Sequence, residues 1–123
     1  MINKKILLVE DDLDIQENLK LFLEMEGYSV MSAMNGQIAL DILKSGEKPF
    51  LILLDLMMPI MNGYELLAVL KKLPQPEFNI PTILLSAATD LEETASKQVV
   101  QFIRKPISLK SLLQAISQIA PSS

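Results

Sequence analysis

The chain is predicted to fold as a doubly wound α/β domain, a parallel sheet with helices packed on both faces. Three observations predict it. Short apolar runs alternate with helical stripes along the 123 residues, the connections between them are short, and several runs are apolar without a break. Unbroken apolar strands are what a sheet covered on both faces requires. Half of the residues are hydrophobic and 21% are charged, which suits one packed domain and is too little chain for two. Residues 1–123 are therefore read as a single domain, without internal repeat, low-complexity tract or linker.

Each element follows from its residues. Lys5 to Val9 reads as the first strand. Ile15, Leu19, Phe22 and Leu23 then fall at helical spacing, with Asp12 or Asp14 to cap the start and Gly27 to stop the end. Tyr28 to Ala33 reads as the second strand. Ala39, Ile42 and Leu43 mark a second helix, with Gly46 as its stop. Phe50 to Leu54 is the third strand, and it runs into Asp55. Asn62-Gly63 makes a turn before a helix carrying Leu66, Leu67 and Leu70. Ile80 to Leu85 is the fourth strand, entered through Pro81. Ala88 to Ser96, rich in Thr and Glu, is a weaker helix candidate, and Gln101 to Arg104 is a short fifth strand. Ser108 is placed to cap a last helix with the stripe Leu109, Leu112, Leu113 and Ile116, and Pro121 lies just beyond it.

Strand chemistry orders the sheet. Strands one, three and four are continuously apolar, whereas strands two and five mix polar and apolar residues and so read as edges. Of the common doubly wound orders, 2-1-3-4-5 puts the right strands inside. The expected fold is thus a flavodoxin-like, doubly wound, five-stranded parallel sheet in that order, with five helices on two faces.

Composition excludes several chemistries. Without cysteine there are no disulfides or thiolate metal sites, and without histidine there are no imidazole ligands or His general bases. Any metal must be hard and held by oxygen, which leaves magnesium, manganese or calcium. No apolar run approaches the roughly 20 residues of a spanning helix, and the first residues show no secretory leader. No membrane insertion and a cytoplasmic location are expected. The net charge of −4 argues against direct binding to nucleic acid.

In an open parallel sheet, ligands bind beyond the carboxyl ends of the strands, at the switch in strand order. Here that switch lies between strands one and three, whose ends carry Glu10-Asp11-Asp12 and Asp55. Strand four delivers Ser86-Ala87 and strand five delivers Lys105-Pro106. Crowded carboxylates repel and take up protons unless a cation joins them. Magnesium suits the site, because it accepts one or two carboxylates together with waters and phosphate oxygens. Lys105 adds positive charge for Asp55 or for an incoming phosphoryl group, and Ser86 offers a hydrogen bond to a phosphoryl oxygen. A carboxylate can attack phosphorus to give an aspartyl phosphate, and Asp55 is the best-placed nucleophile. Taken singly, the acidic run also reads as a solvated helix cap, Lys105 as a surface lysine and Phe102 as plain packing.

These residues resemble the receiver domain of bacterial two-component response regulators. The resemblance runs from about Lys4 to about Ile119. It rests on four motifs in order: Leu7-Leu8-Val9-Glu10-Asp11-Asp12, Leu53-Leu54-Asp55-Leu56-Met57-Met58-Pro59 with Asn62-Gly63, Leu85-Ser86-Ala87, and Phe102-Ile103-Arg104-Lys105-Pro106. The resemblance implies that Asp55 accepts a phosphoryl group from a histidine kinase or a histidine phosphotransfer protein. It implies that Asp11 holds magnesium directly, Glu10 through a water or as a weaker ligand, and Met57 through its backbone carbonyl. Ser86 matches the hydroxyl that follows the phosphoryl group, Lys105 the lysine that neutralises it, and Phe102 the aromatic switch residue. The bond before Pro106 is expected to be cis, and the side chains of Met57 and Met58 are read as core and loop filler.

The chain departs from the family pattern between Ser86 and Lys105, which is shorter than usual. Ser96-Lys97-Gln98-Val99-Val100 replaces the usual Ala-Gly-Ala turn, so the helix before strand five is expected to be short or irregular and the output face unusual. Met57 and Ala88 stand at positions that tune phosphoryl hydrolysis in the family; both are apolar, which implies a longer-lived phosphorylated state. The competing reading is a phosphorylation-independent, receiver-like module that works by protein contacts alone. An aspartate-nucleophile phosphatase, similar to the haloacid dehalogenases, needs an acid where Met57 stands, so no enzyme of turnover is expected. The chain ends at Ser123, soon after the last helix, and is read as a stand-alone receiver or a piece of a longer protein with an unknown downstream partner.

Overall fold

The structure, a computed structural model, describes residues 2–87 and 98–119. Five strands, β1 (Lys5–Val9), β2 (Ser29–Ala33), β3 (Leu51–Asp55), β4 (Thr82–Ser86) and β5 (Val99–Arg104), form one sheet in the order β2-β1-β3-β4-β5. Every neighbouring pair is parallel. The helices among the described residues are α1 (Leu13–Met25), α2 (Gly36–Lys44), α3 (Gly63–Lys72) and α4 (Leu109–Ile119). The fold and strand order are those expected. The helix predicted over 88–96, and with it the fifth helix, lies outside the described residues, as does Pro121.

The sheet divides the core in two. Ile6, Leu8, Leu51, Leu53, Ile83 and Leu85 face α1 and α4, whose Leu19, Leu23, Leu112 and Ile116 pack against them. Leu7, Val9, Ile52, Leu54 and Leu84 face the other way, onto Ala39, Leu40 and Leu43 of α2 and Leu66, Leu67 and Leu70 of α3. Successive strand residues alternate between faces, so an unbroken apolar strand serves both layers at once.

Several boundaries move from their expected places. Strand β3 begins and ends one residue later and takes in Asp55, while β4 begins at Thr82 and takes in Ser86. Pro81 has no N–H to give the ladder, and its carbonyl accepts from the Ile52 N–H at 2.9 Å. Strand β5 begins two residues before Gln101, because Thr82 pairs with Val99 before the register shifts between Thr82 and Ile83.

The helices start where side chains satisfy their first N–H groups. Asp12 Oδ1 accepts from the N–H groups of Asp14 and Ile15, and Asn35 Oδ1 from Ile38. Asn62 and Glu65 form a capping box on α3, and Ser108 Oγ accepts from the Ser111 N–H as expected. Beyond α1, Gly27 takes a φ of 94°, a left-handed conformation that glycine adopts without Cβ strain.

Two loops that frame the sheet end are held by close backbone approaches. The Gly36 N–H donates to the Met61 carbonyl at 2.8 Å, and a Cβ at residue 36 would lie 2.7 Å from that oxygen. A Cβ at residue 63 would lie 2.7 Å from the Asp55 carbonyl oxygen. Between these glycine contacts, the Met61 N–H donates to the Pro59 carbonyl at 2.8 Å and closes a three-residue turn around Ile60. Ile60 has a φ of 69°, the one positive φ of a non-glycine residue among the described residues. A β-branched residue there is strained by about 1–3 kcal/mol.

Candidate phosphoacceptor and metal site

The alternation that sorts the core also gathers the site. Glu10 continues the row of Ile6 and Leu8, Asp55 the row of Leu51 and Leu53, and Lys105 the row of Ile103. All three reach the carboxyl end of the sheet on its α1 and α4 side. The gap between β1 and β3 is the topological switch point, where ligands of such sheets bind.

The geometry is tight. Lys105 Nζ lies 2.7 Å from Glu10 Oε1 and 3.4 Å from Asp55 Oδ2. Glu10 Oε2 accepts from the Asp12 N–H at 3.2 Å, and Asp55 Oδ1 accepts from the Met57 N–H at 3.2 Å. Glu10 is fully buried and Asp55 is 4% exposed, while Asp11 is not buried. One carboxylate oxygen from each of Glu10, Asp11 and Asp55 lies within 4.8 Å of the others. This oxygen-only donor set, with a single lysine against three carboxylates, fits a hard divalent cation such as magnesium.

Ser86 is buried at the end of β4, and its carbonyl accepts from the Lys105 N–H at 2.8 Å. Phe102 is half-buried and belongs, by strand alternation, to the same sheet face as Ser86. The Lys105–Pro106 bond is cis, as expected. Met58 packs against the core beside α3, but the Met57 side chain is 68% exposed, so it is not core filler and only its backbone enters the site. Ala88 lies outside the described residues.

Gln16 was not singled out in the sequence, yet it is buried, and its Nε2 donates to the Glu10 and Ala33 carbonyls at 3.0 and 3.3 Å. It ties the end of β1 to the end of β2 directly behind the acidic pair. Its signal was present: Gln16, Leu19 and Leu23 share one buried helical stripe, and an uncharged amide on such a stripe needs buried partners.

Burial raises the Glu10 carboxyl to about 7; the Lys105 hydrogen bond opposes that rise, and the hydrogen bond and charge of Asp55 add to it. Burial pulls the Lys105 ammonium down, but the Glu10 hydrogen bond and the charges of Asp55 and Glu10 outweigh it, and the group titrates above its ordinary range. Between about pH 4.5 and 7, Glu10 in the folded, metal-free chain therefore keeps a proton that the unfolded chain has released. The stability this gives is fully present below about 4.5 and is lost as pH rises through about 7. A divalent cation must displace that proton, so magnesium should raise the melting temperature more at pH 8 than at pH 6. Equal shifts at the two pH values would mean that Glu10 is already ionised without metal.

Comparison with known proteins places this geometry in context. The response regulator receiver domain family matches residues 6–117. Sporulation initiation phosphotransferase F of Bacillus subtilis (strain 168) is 33% identical, with 98% of this chain aligned to 97% of its length. The probable transcriptional regulator ycf27 of Porphyridium aerugineum is 37% identical across 91% of this chain and 46% of its own length. The chain spans about half the length of that relative and of its counterpart in Cyanophora paradoxa. Among solved structures, response regulator protein TrrA of Thermotoga maritima, in complex with Mg2+ and BeF, has a TM-score of 0.81 and 30% identity; the match covers 94% of this chain and 98% of that one. A CheY-like receiver domain protein of Methanospirillum hungatei JF-1 has a TM-score of 0.82 and 32% identity, covering 94% and 92% of the two chains.

Proposed function

The chain belongs to the response regulator receiver domain family, and from that premise we propose that it is a phosphoacceptor switch acting through Asp55. The donor is the phosphohistidine of a histidine kinase or of a histidine phosphotransfer protein. The observation that carries this reading is the convergence of Glu10, Asp11 and Asp55 with Lys105 at one sheet end.

An Asp55 carboxylate oxygen attacks phosphorus, the P–N bond to the donor imidazole breaks, and the imidazole leaves with the electron pair. The Met57 N–H holds Asp55 Oδ1, which leaves the other oxygen for attack. Lys105, shared between Glu10 and Asp55, moves its charge toward the new phosphoryl oxygens. Glu10, Asp11, Asp55 and the Met57 carbonyl are the groups to hold magnesium, or manganese in its place, and the ion when bound neutralises charge on the transferring group. Support for this choice of ion comes from TrrA, which was solved with Mg2+ and BeF. Ser86 follows the phosphoryl group, and Phe102 on the same sheet face follows Ser86 and alters the outer surface read by a downstream protein.

Receiver domains are signalling domains, and this chain catalyses at most its own phosphorylation and dephosphorylation. The exposed thioether of Met57 orients water poorly, which favours a long-lived phosphorylated state. No helix among the described residues is long and apolar enough to cross a membrane, and a cytoplasmic site of action is proposed with the kinase as partner. Residues 1–123 act as one receiver domain without direct contact to nucleic acid.

The test is intact-protein mass after incubation with acetyl phosphate. One phosphoryl group should be added with magnesium and none without it. No addition with magnesium, together with no binding of beryllofluoride, would favour the module that works by protein contacts alone.

A further inference from the structure

We propose that the hollow between the start of β1 and the loop from α2 to β3 binds a compact multivalent anion, a small molecule bearing a diphosphate or an equivalent pair of phosphate charges. The hollow lies at the opposite end of the sheet from Asp55, and the proposal is independent of the phosphoacceptor reading.

The hollow has a volume of about 470 Å³ and is lined by Ile2, Asn3, Lys4, Lys5, Ser29 and Lys48. Lys5 opens β1, Ser29 opens β2, and Lys48 lies in the loop before β3. Strand β1 separates Lys5 from Glu10 by roughly 16 Å at an ordinary strand rise, so the hollow and the acidic end are distinct places.

Three chain segments are tied together there. Asn3 Nδ2 donates to the Lys48 carbonyl at 2.7 Å, and Asn3 Oδ1 accepts from the Lys5 N–H at 2.9 Å. The Ser29 N–H donates to the Lys4 carbonyl at 2.9 Å. One amide side chain thus sets the spacing of Lys5 and Lys48, which are far apart in sequence. Lys4 Nζ lies 5.9 Å from the centre of the Tyr28 ring, which stacks on Phe50. The frame that carries the three lysines is therefore anchored to the core.

Its charge is unbalanced. The chain has a net charge of −4, yet three lysines share this hollow. The Glu47 carboxylate reaches Lys5 Nζ at 3.3 Å, but both partners are exposed, and such a pair yields readily to a stronger anion. Among the described residues, Lys4 and Lys48 have no carboxylate within ion-pair distance. Like charges held on a fixed frame repel until an anion joins them. The exposed Ser29 hydroxyl adds a neutral donor. The surroundings select a compact ligand. Glu24 and Glu26 stand exposed at the end of α1, just before β2, and would repel an extended anionic surface laid across this end. A small anion that enters the hollow meets the lysines without them.

The test titrates the whole isotope-labelled chain with sodium pyrophosphate in EDTA and follows its amide signals by NMR. Signals of Asn3, Lys5, Ser29 and Lys48 should shift saturably, while those around Asp55 stay in place. Lys5→Gln and Lys48→Gln change exposed side chains and should each weaken binding about three- to fivefold. Glu47→Gln frees Lys5 and should tighten binding about twofold. Lys72→Gln, which removes the same charge at the end of α3, should leave it unchanged. The absence of saturable shifts, or an equal loss in Lys72→Gln and Lys48→Gln, overturns the site. Loss of binding in Asp55→Asn also overturns it, because the anion would then sit at the acidic end. Phosphatidylglycerol vesicles or an oligoglutamate peptide that move these signals when pyrophosphate does not would overturn the compact ligand, in favour of a lipid surface or an acidic protein segment respectively.

Discussion

Asp55→Asn should accept no phosphoryl group from any donor, and the metal-free chain should become more stable. An amide oxygen is too poor a nucleophile for the transfer. The Asn carbonyl can still accept from the Met57 N–H, and Lys105 keeps its shorter contact to Glu10. What disappears is one of two buried carboxylates that share a single lysine. Asp55 is among the causes that raise the Glu10 carboxyl, so Glu10 should titrate lower in the variant and hold an ordinary pair with Lys105. Near pH 8 without magnesium the gain should be about 1–2 kcal/mol, seen as a higher urea midpoint at unchanged slope. A lower midpoint would mean that Asp55 is a net structural support.

Lys105→Met should act in the opposite sense. Glu10 is fully buried and Lys105 is its cation, so the variant leaves two buried carboxylates facing each other. Breaking a buried pair by removing one partner costs about 3–5 kcal/mol when the remaining charge cannot be neutralised. Here Glu10 can take up a proton, which limits the cost at low pH. The loss should be about 2–4 kcal/mol at pH 8 and clearly smaller at pH 6, and saturating magnesium should recover part of it. Phosphorylation by acetyl phosphate should slow by at least about tenfold even where the variant is folded, because the charge proposed to meet the phosphoryl oxygens is gone. A pH-independent loss would point to packing of the lysine stem, not to charge.

The interior strands were legible because parallel sheets covered on both faces leave an unmistakable pattern: Leu51 to Leu54 and Ile83 to Leu85 have no solvent face. Their ends were less legible. Asp55 and Ser86 read as the residues after a strand, because polarity marks a strand boundary in sequence, yet both are buried inside the ladder. Charge says little about where backbone pairing stops when a site is built into the strand end. The start of β5 depends on a register shift opposite Thr82, a tertiary event with no local sequence mark. The site residues themselves came from position, since four strand ends of one sheet meet whatever their spacing in the chain. Gln16 was hidden by its residue type, and Ile60 by the absence of any propensity signal that would call for a left-handed turn at a β-branched residue.

The backbone contacts at Gly36 and Gly63 divide the loops at the sheet end into two kinds of position. At 36 a side chain meets the Met61 carbonyl oxygen of the neighbouring loop, and at 63 it meets the Asp55 carbonyl oxygen at the end of β3, so substitution at either deforms the frame that carries Asp55. At 34, 38, 57 and 60 the side chains are exposed. A combinatorial library built on this chain can therefore vary the second set while holding the first constant. The backbone frame of the sheet end and the chemistry of its exposed surface can then change independently.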